Sequence, residues 1–239
     1  MAHEDSQGFR EPSRFATTSW SLLMRASRQD RAALEEIYQR YRRPVVLYLE
    51  RKAPKALDPE MLADEVMLNV VDAGFLSELN RERGRFRDIL LAMARHALNN
   101  SMRVARAKKR DYRKTVSLHD LKAEPPASDE ERRGFAHLYA QEVFGAARER
   151  LEADAVQRRS PEVEVLRRFY ERGETRLEIA AALDLPESTI NNHIQRARAR
   201  LRKHIEAVLG PVSATEEELQ DEVTYLLRIL GDKRPTSPA

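Results

Sequence analysis

Apolar side chains recur along this chain at spacings of three and four, with no sustained alternation of period two, so the pattern predicts an all-α fold. Leu34, Ile37, Tyr38, Tyr41, Val45 and Leu49 mark a first helix, which Pro44 is expected to bend or interrupt. KAPKALDP reads as a turn, and Leu62, Val66 and Val70 line one face of a second helix. Asp58, Glu60, Asp64 and Glu65 lie along its start and outer side, where negative charge suits the helix dipole. FLSELNRERGRF reads as a loop. A long helix follows, with Phe86, Leu90, Met93, Ala97 and Ser101 as its inner stripe and basic residues on its other faces. These elements predict one small helical bundle over residues 15–113.

Residues 114–133 have no periodicity; Pro125, Pro126 and a run of Ser, Asp and Glu give them the composition of a flexible linker. Two small helical domains, placed independently of each other, are therefore expected. In the second, residues 134–209, Phe135, Leu138, Val143, Ala147 and Leu151 mark one helix. Ser160-Pro161 predicts a cap followed by proline at the first helical position of another, with Val163, Leu166 and Tyr170. Thr175 and Glu178 have the spacing of a capping box, which opens a short helix through Ile179, Ala180 and Leu183. Asp184-Leu185-Pro186 breaks it, and Ile190, Ile194, Ala197 and Leu201 line the next. That pair is a helix-turn-helix. Residues 210–239 add a C-terminal amphipathic helix on Leu219, Val223, Leu226 and Leu230, and Trp20 near the other end reads as a packing anchor.

Charge changes the picture more than composition does. The 239 residues carry a net charge of only +3. Yet Arg81 to Lys114 holds 12 basic residues against 3 acidic, and Pro186 to His204 holds 5 against 1. Two separated cationic surfaces suit a polyanion touched at two places, although solvated helix faces would carry the same charges. With 34% charged residues, no stretch is apolar enough to span a membrane, so no membrane insertion is expected. MAHEDSQGFREPSRF lacks the apolar core of a secretory signal, and the absence of Cys fits a reducing interior; a cytoplasmic protein is expected. No Walker loop, G-x-S-x-G or GxGxxG motif occurs, and the six His show no metal-ligand pair at helical spacing. No cofactor, no metal and no enzymatic activity are expected.

The second helix of a helix-turn-helix enters the DNA major groove, where Asn and Gln pair with adenine and Arg with guanine. Asn191, Asn192, Gln195 and Arg196 are the candidate base readers. Ser188, Thr189, His193, Arg198, Arg200 and Arg202 are better placed for phosphates. Short helix pairs also occur in ordinary bundles, and the run RARARLRK favours DNA over that account. The stretch from Asn80 to Arg110 has no second helix-turn-helix, and its only aromatic residue is Phe86, so a captured base would need a polar pocket. Asn80, Arg81, Arg83 and Arg85 can supply one, with Gly84 permitting a tight backbone or simply a turn.

The ordered segments LDPEMLADEVMLNVV, RGRFRDILLAMARHALNN and RRSPEVEVLRRFYERGETRLEIAAALDLPESTINNHIQRARARLRKHI resemble bacterial RNA polymerase sigma factors of the extracytoplasmic function (ECF) group. FATTSWSLLMRA and ATEEELQDEVTYLLRIL resemble the flanks of a planctomycete-type subgroup. The resemblance implies sigma region 2 over 15–113 and region 4 over 134–209, with the linker in place of region 3. It implies a subunit that binds core RNA polymerase through its largest-subunit clamp and beta flap, recognises promoter DNA and initiates transcription. Asp58, Glu60, Leu62, Asp64, Glu65 and Val66 would then face the clamp. Asn80, Arg81, Arg83, Arg85 and Arg87 would hold a base of the minus-10 element, with Arg95, Asn99, Asn100 and Arg103 on the helix approaching it. Ser188, Thr189, Asn191, Asn192, His193, Gln195, Arg196, Arg198 and Arg200 would contact the minus-35 element. An anti-sigma factor is a further partner the resemblance leaves open. The chain departs from the family at Met61, where a fourth acidic residue is usual, and at Asn191 and Asn192, where Lys or Arg followed by Ser is frequent.

The rival reading is a stand-alone helix-turn-helix regulator with an N-terminal dimerisation or sensing domain. For the C-terminal helix two accounts stand. Its residues 210–239 hold 6 acidic against 3 basic side chains, so it either packs onto region 4 or covers a basic DNA-binding face.

Overall fold

The computed structural model describes residues 20–79, 85–107, 126–210 and 216–231, and every regular element among them is an α-helix. The first five are α1 (Trp20–Ser27), α2 (Arg31–Lys52), α3 (Pro59–Val70), α4 (Ala73–Ser77) and α5 (Phe86–Ala107). Aspartates open three of them: Asp30, Asp58 and Asp72 each accept backbone N–H bonds at the start of α2, α3 and α4. The Arg25 guanidinium bonds Asp30 at 2.6 Å and holds its carboxyl below the usual carboxylate range.

Two expectations are corrected in this half. Of the bend or interruption expected at Pro44, the interruption does not occur: Pro44 lies inside α2, which runs unbroken past it because the residues on either side are anchored by the buried Tyr41, Val45 and Val46. The segment read as a loop after α3 begins inside α4, whose Phe75 and Leu76 are buried; its residues 80–84 lie outside the described residues.

A capping box formed by Ser128 and Glu131 opens α6 (Asp129–Arg158), so the second half begins inside the stretch expected to be linker. Residues 114–125 of that stretch lie outside the described residues. Helices α7 (Glu162–Tyr170), α8 (Arg176–Leu183), α9 (Glu187–Leu209) and α10 (Glu216–Gly231) complete the order.

The position of α6 sets the architecture. Phe135, Leu138, Tyr139, Ala140, Val143 and Ala147 belong to one buried cluster with the cores of α1–α5, and with Ile205, Leu209, Val223 and Leu226 of α9 and α10. Tyr139 stacks on Tyr41 of α2 at 5.3 Å between ring centroids, and Phe135 meets Tyr48 edge-on at 6.0 Å. The two halves therefore share an interior, contrary to the expectation of independent placement. The physical reason is that α6 carries two apolar flanks, one against α2 and α5 and one against α9 and α10. Arg40 of α2 adds a polar tie by donating to the Leu209 carbonyl at the end of α9, at 2.8 Å. A second, smaller cluster holds the helix-turn-helix together: Val165, Ile179, Ala180, Ile190 and Ile194, with Phe169, Leu183 and Leu185 against it.

This interior gives a pH signature. Burial raises the Tyr41 and Tyr139 phenols above their ordinary value and pushes Tyr48 up to about 12, with the Glu131 carboxylate adding to the rise there. Phenols whose pKa is raised by folding stabilise the fold below the unfolded value of about 10, and that contribution is lost as pH climbs toward the folded value. In an absorbance titration at alkaline pH, these three tyrosines should ionise only together with the loss of helical circular dichroism. Ionisation of all seven tyrosines ahead of unfolding would contradict the burial.

Candidate nucleic-acid interface

The capping box expected at Thr175 is present. Thr175 accepts from the Glu178 amide at 3.3 Å, and the Thr175 amide donates to Glu178 at 2.7 Å, which holds the Glu178 carboxyl below its usual range. Asp184 ends α8 in the left-handed conformation with φ 52°, tolerable for a short polar side chain, and the turn delivers Pro186 as the cap of α9. Ile190 and Ile194 then fall into the small core and Ala197 is buried beyond them.

With that face inward, Ser188, Asn192, Gln195 and Arg196 are exposed along the opposite side of α9, and Asn191, Thr189 and His193 are half-buried on its flanks. The outer side is a row of hydrogen-bonding groups without an apolar interruption larger than Ala199. That chemistry suits base edges. Two arginines expected at phosphates have intramolecular partners. Arg198 donates to the Tyr170 hydroxyl, at 2.7 Å from Nε, and lies over its ring at 5.4 Å. Arg200 pairs with Glu162, which is 3% exposed at the start of α7. A buried carboxylate needs such a partner, so Arg200 serves the domain's internal structure.

The inner face of α7 differs from expectation. Val165 is buried and Phe169 half-buried, whereas Tyr170 is 54% exposed and braces Arg198 from outside. The string EVEVLRRFY offers two apolar stripes one residue apart, and the small core selects Val165 and Phe169. The helix itself starts at Glu162, one residue after the expected proline position, with Pro161 as its cap.

This helix-turn-helix, together with α7, has a recognised counterpart. Residues 161–203 match the family model for sigma-70 region 4. No curated protein and no solved structure matches the chain. The match ends at residue 203, in the last third of α9; the final turns of that helix, with Ile205 and Leu209, belong to the large shared core. The expected base readers Asn191, Asn192, Gln195 and Arg196 all lie inside the matched segment.

The second cationic surface lies on α5. Asn99 and Arg103 are exposed on it, Asn100 accepts from Arg103 at 2.9 Å, and Arg95 approaches Glu131 of α6 at 4.0 Å. Arg85 and Arg87 have partners that the sequence alone did not disclose. Arg87 is 4% exposed, sits 4.7 Å over the Tyr139 ring, and pairs with Glu222 of α10. Arg85 lies 5.0 Å over the Tyr225 ring. Asn80, Arg81 and Arg83 lie outside the described residues.

The acidic side of α3 faces away from the core but is partly neutralised. Arg42 bonds Asp64 at 2.7 Å and Glu60 at 2.7 Å, and Tyr38 donates to Asp64 at 3.1 Å. The Arg42 hydrogen bond holds the Asp64 carboxyl below the usual range. Leu62 and Val66, expected to face a partner, are buried in the bundle core, because they share the inward stripe with Val70. The apolar side chains that α3 does expose are Met61 and Leu68, 64% and 68% accessible, on either side of Glu65. A partner meeting this helix would touch carboxylates and two large apolar groups together.

Proposed function

We propose that this chain is a sigma factor of the ECF type, which binds core RNA polymerase, recognises promoter DNA and initiates transcription without covalent chemistry of its own. The observation that carries the reading is the region 4 match on a helix-turn-helix whose outer α9 face is polar and exposed. In this reading the α1–α5 bundle is region 2. Its α3 face of Glu60, Met61, Asp64, Glu65 and Leu68 docks on the cationic clamp of the largest subunit, and Arg95, Asn99, Asn100 and Arg103 of α5 approach the minus-10 element. The region 4 domain meets the beta flap and reads the minus-35 element. No helix among the described residues is long and apolar enough to cross a membrane, and the proposed site of action is the cytoplasm.

Run-off transcription with purified core polymerase on a genomic promoter library tests the reading; defined start sites that require the chain are expected. A protein that footprints duplex DNA alone and ignores core polymerase would instead be the stand-alone regulator. Replacing Asp64 and Glu65 together by Lys should abolish co-purification with core, since cations would then meet the clamp. The fold should persist, because Arg42 and Asp64 are only half-buried at the surface, Arg42 keeps Glu60 as a partner, and surface pairs contribute only about 0–1 kcal/mol. On the DNA side, Asn191→Ala or Gln195→Ala should shift minus-35 preference by about 1–3 kcal/mol at one base pair. An equal loss on every sequence would make these residues phosphate contacts.

A further inference from the structure

Two arginines of α9 grip the two ends of α7. Arg198 and Arg200 stand on opposite flanks of the helix, about 200° apart at about 100° per residue, with the inward stripe of Ile194 and Ala197 buried between them. Arg200 meets Glu162 at the start of α7, and Arg198 meets Tyr170 at its end. The two contacts differ in charge. Glu162 is a carboxylate, so its pair with Arg200 is internally neutral. Tyr170 is a phenol. It orients Arg198 through its hydroxyl, at 2.7 Å from Nε, and through its ring, at 5.4 Å, and it cancels none of the positive charge.

Tyr170 is itself held in place. Its ring meets that of Phe169 edge-on at 5.0 Å, and Phe169 packs against the small core of the helix-turn-helix. The ring is 54% exposed, and its bond to Arg198 lies at the surface. The guanidinium is therefore aimed before any ligand arrives.

We propose that Tyr170 and Arg198 form one phosphate-binding unit, in which Arg198 contacts the DNA backbone beside the groove that α9 reads and Tyr170 is its positioning residue. The inference rests on the proposed DNA reading and divides the two arginines: Arg198 serves the nucleic acid, Arg200 the fold. The register of α9 supports the placement. Asn191, Gln195 and Arg198 follow one another at spacings of four and three, so they share a stripe. Arg198 stands two turns beyond Asn191, about 10 Å along the axis at about 1.5 Å per residue. The major groove is about 12 Å wide, so a helix that sets Asn191 on base edges brings Arg198 to the bounding phosphates. A guanidinium already braced by a ring loses less freedom on meeting a phosphate than an unbraced one does. Its planar fork also carries more N–H donors than the Tyr170 hydroxyl engages, and the others are available to phosphate oxygens.

The test measures binding of the full-length chain to duplex DNA by fluorescence anisotropy over a series of salt concentrations, alone and with core polymerase. Each phosphate contact contributes about 0.9 to the slope of log affinity against log salt. Arg198→Ala should flatten the slope by about that amount and weaken binding alike on every sequence. Arg200→Ala combined with Glu162→Gln removes the other pair without stranding a carboxylate, and it should leave the slope unchanged. Tyr170→Leu should weaken binding about three- to tenfold in the parent, the cost of ordering one long side chain, and not at all in Arg198→Ala. An unchanged slope in Arg198→Ala would overturn the assignment, as would an altered sequence preference there, which would make Arg198 a base reader. An equal effect of Tyr170→Leu in both backgrounds would also overturn it, leaving the ring a part of the fold only. Failure of the functional reading would look different: the parent itself would bind no duplex, with or without core polymerase, and the assignment would fall with it.

Discussion

Replacing Ile194 by Ala is expected to abolish duplex DNA binding while leaving the α1–α5 bundle folded. Ile194 is 1% exposed and sits in a cluster with only four other buried residues, Val165, Ile179, Ala180 and Ile190. Truncating a buried Ile to Ala costs about 2–5 kcal/mol, depending on how far the surroundings collapse. A core this small has little to spare, since whole domains are stable by only about 5–15 kcal/mol. The damage should stay local. Further along the same helix, Ile205 and Leu209 are buried in the larger cluster and continue to hold α9 against α6. Amide hydrogen exchange should therefore rise across α7, α8 and the first half of α9, and remain slow in α2 and α6. Leu177→Ala is the control, because that side chain is 69% exposed and its loss should change neither exchange nor binding. Slow exchange across α7 and α8 in Ile194→Ala, with DNA binding intact, would show that the small core does not organise the reading face.

Much of this could be read from spacing alone. The stripes at Ile190, Ile194 and Ala197, and at Phe86, Leu90, Met93 and Ala97, are buried as their periods require. The Thr175–Glu178 cap is also where its signature places it. These are local signals, decided within one or two turns of helix. The misplaced features have in common that a distant segment decides them. EVEVLRRFY is compatible with two inward faces, and only the packing of α8 and α9 selects Val165 over Tyr170. Arg87 looks like one more cation in a basic loop until Glu222, 135 positions away, is brought against it. Arg198 and Arg200 count equally in a charge tally, yet one rests on a tyrosine and the other on a buried carboxylate. Leu62 and Val66 illustrate the converse, since the stripe that identifies a helix also identifies the residues a partner cannot reach. The seat of α6 between the halves leaves no local trace, because either of its apolar flanks alone would read as ordinary amphipathicity.

Tyr139→Ala should uncouple the two halves, and this is the largest stability effect expected of any single substitution outside the small core. The side chain is 0% exposed, stacks on Tyr41 with 12° between the ring planes, and carries the Arg87 guanidinium 4.7 Å above its face. Its removal deletes a buried aromatic ring, for which about 3–5 kcal/mol is typical, and also strips Arg87 of one wall of its site. At about 2–4 °C per kcal/mol for a protein of this size, the melting temperature should fall by about 10 °C. Cooperativity is the more informative readout. The single tryptophan, Trp20, is 3% exposed in α1 and reports the first bundle, while a fluorophore on Ala182→Cys reports the helix-turn-helix. In the parent chain both probes should melt together, because α6 contributes to one interior shared by α2, α5, α9 and α10. In Tyr139→Ala they should separate into two transitions, the bundle and the helix-turn-helix each unfolding on its own core. Tyr139→Phe preserves the ring and the stacking, so it should stay within about 1.5 kcal/mol of the parent and keep one transition. Coincident melting of both probes in Tyr139→Ala, at the parent temperature, would mean that the coupling runs elsewhere, with Arg40 and the Leu209 carbonyl the next contact to cut.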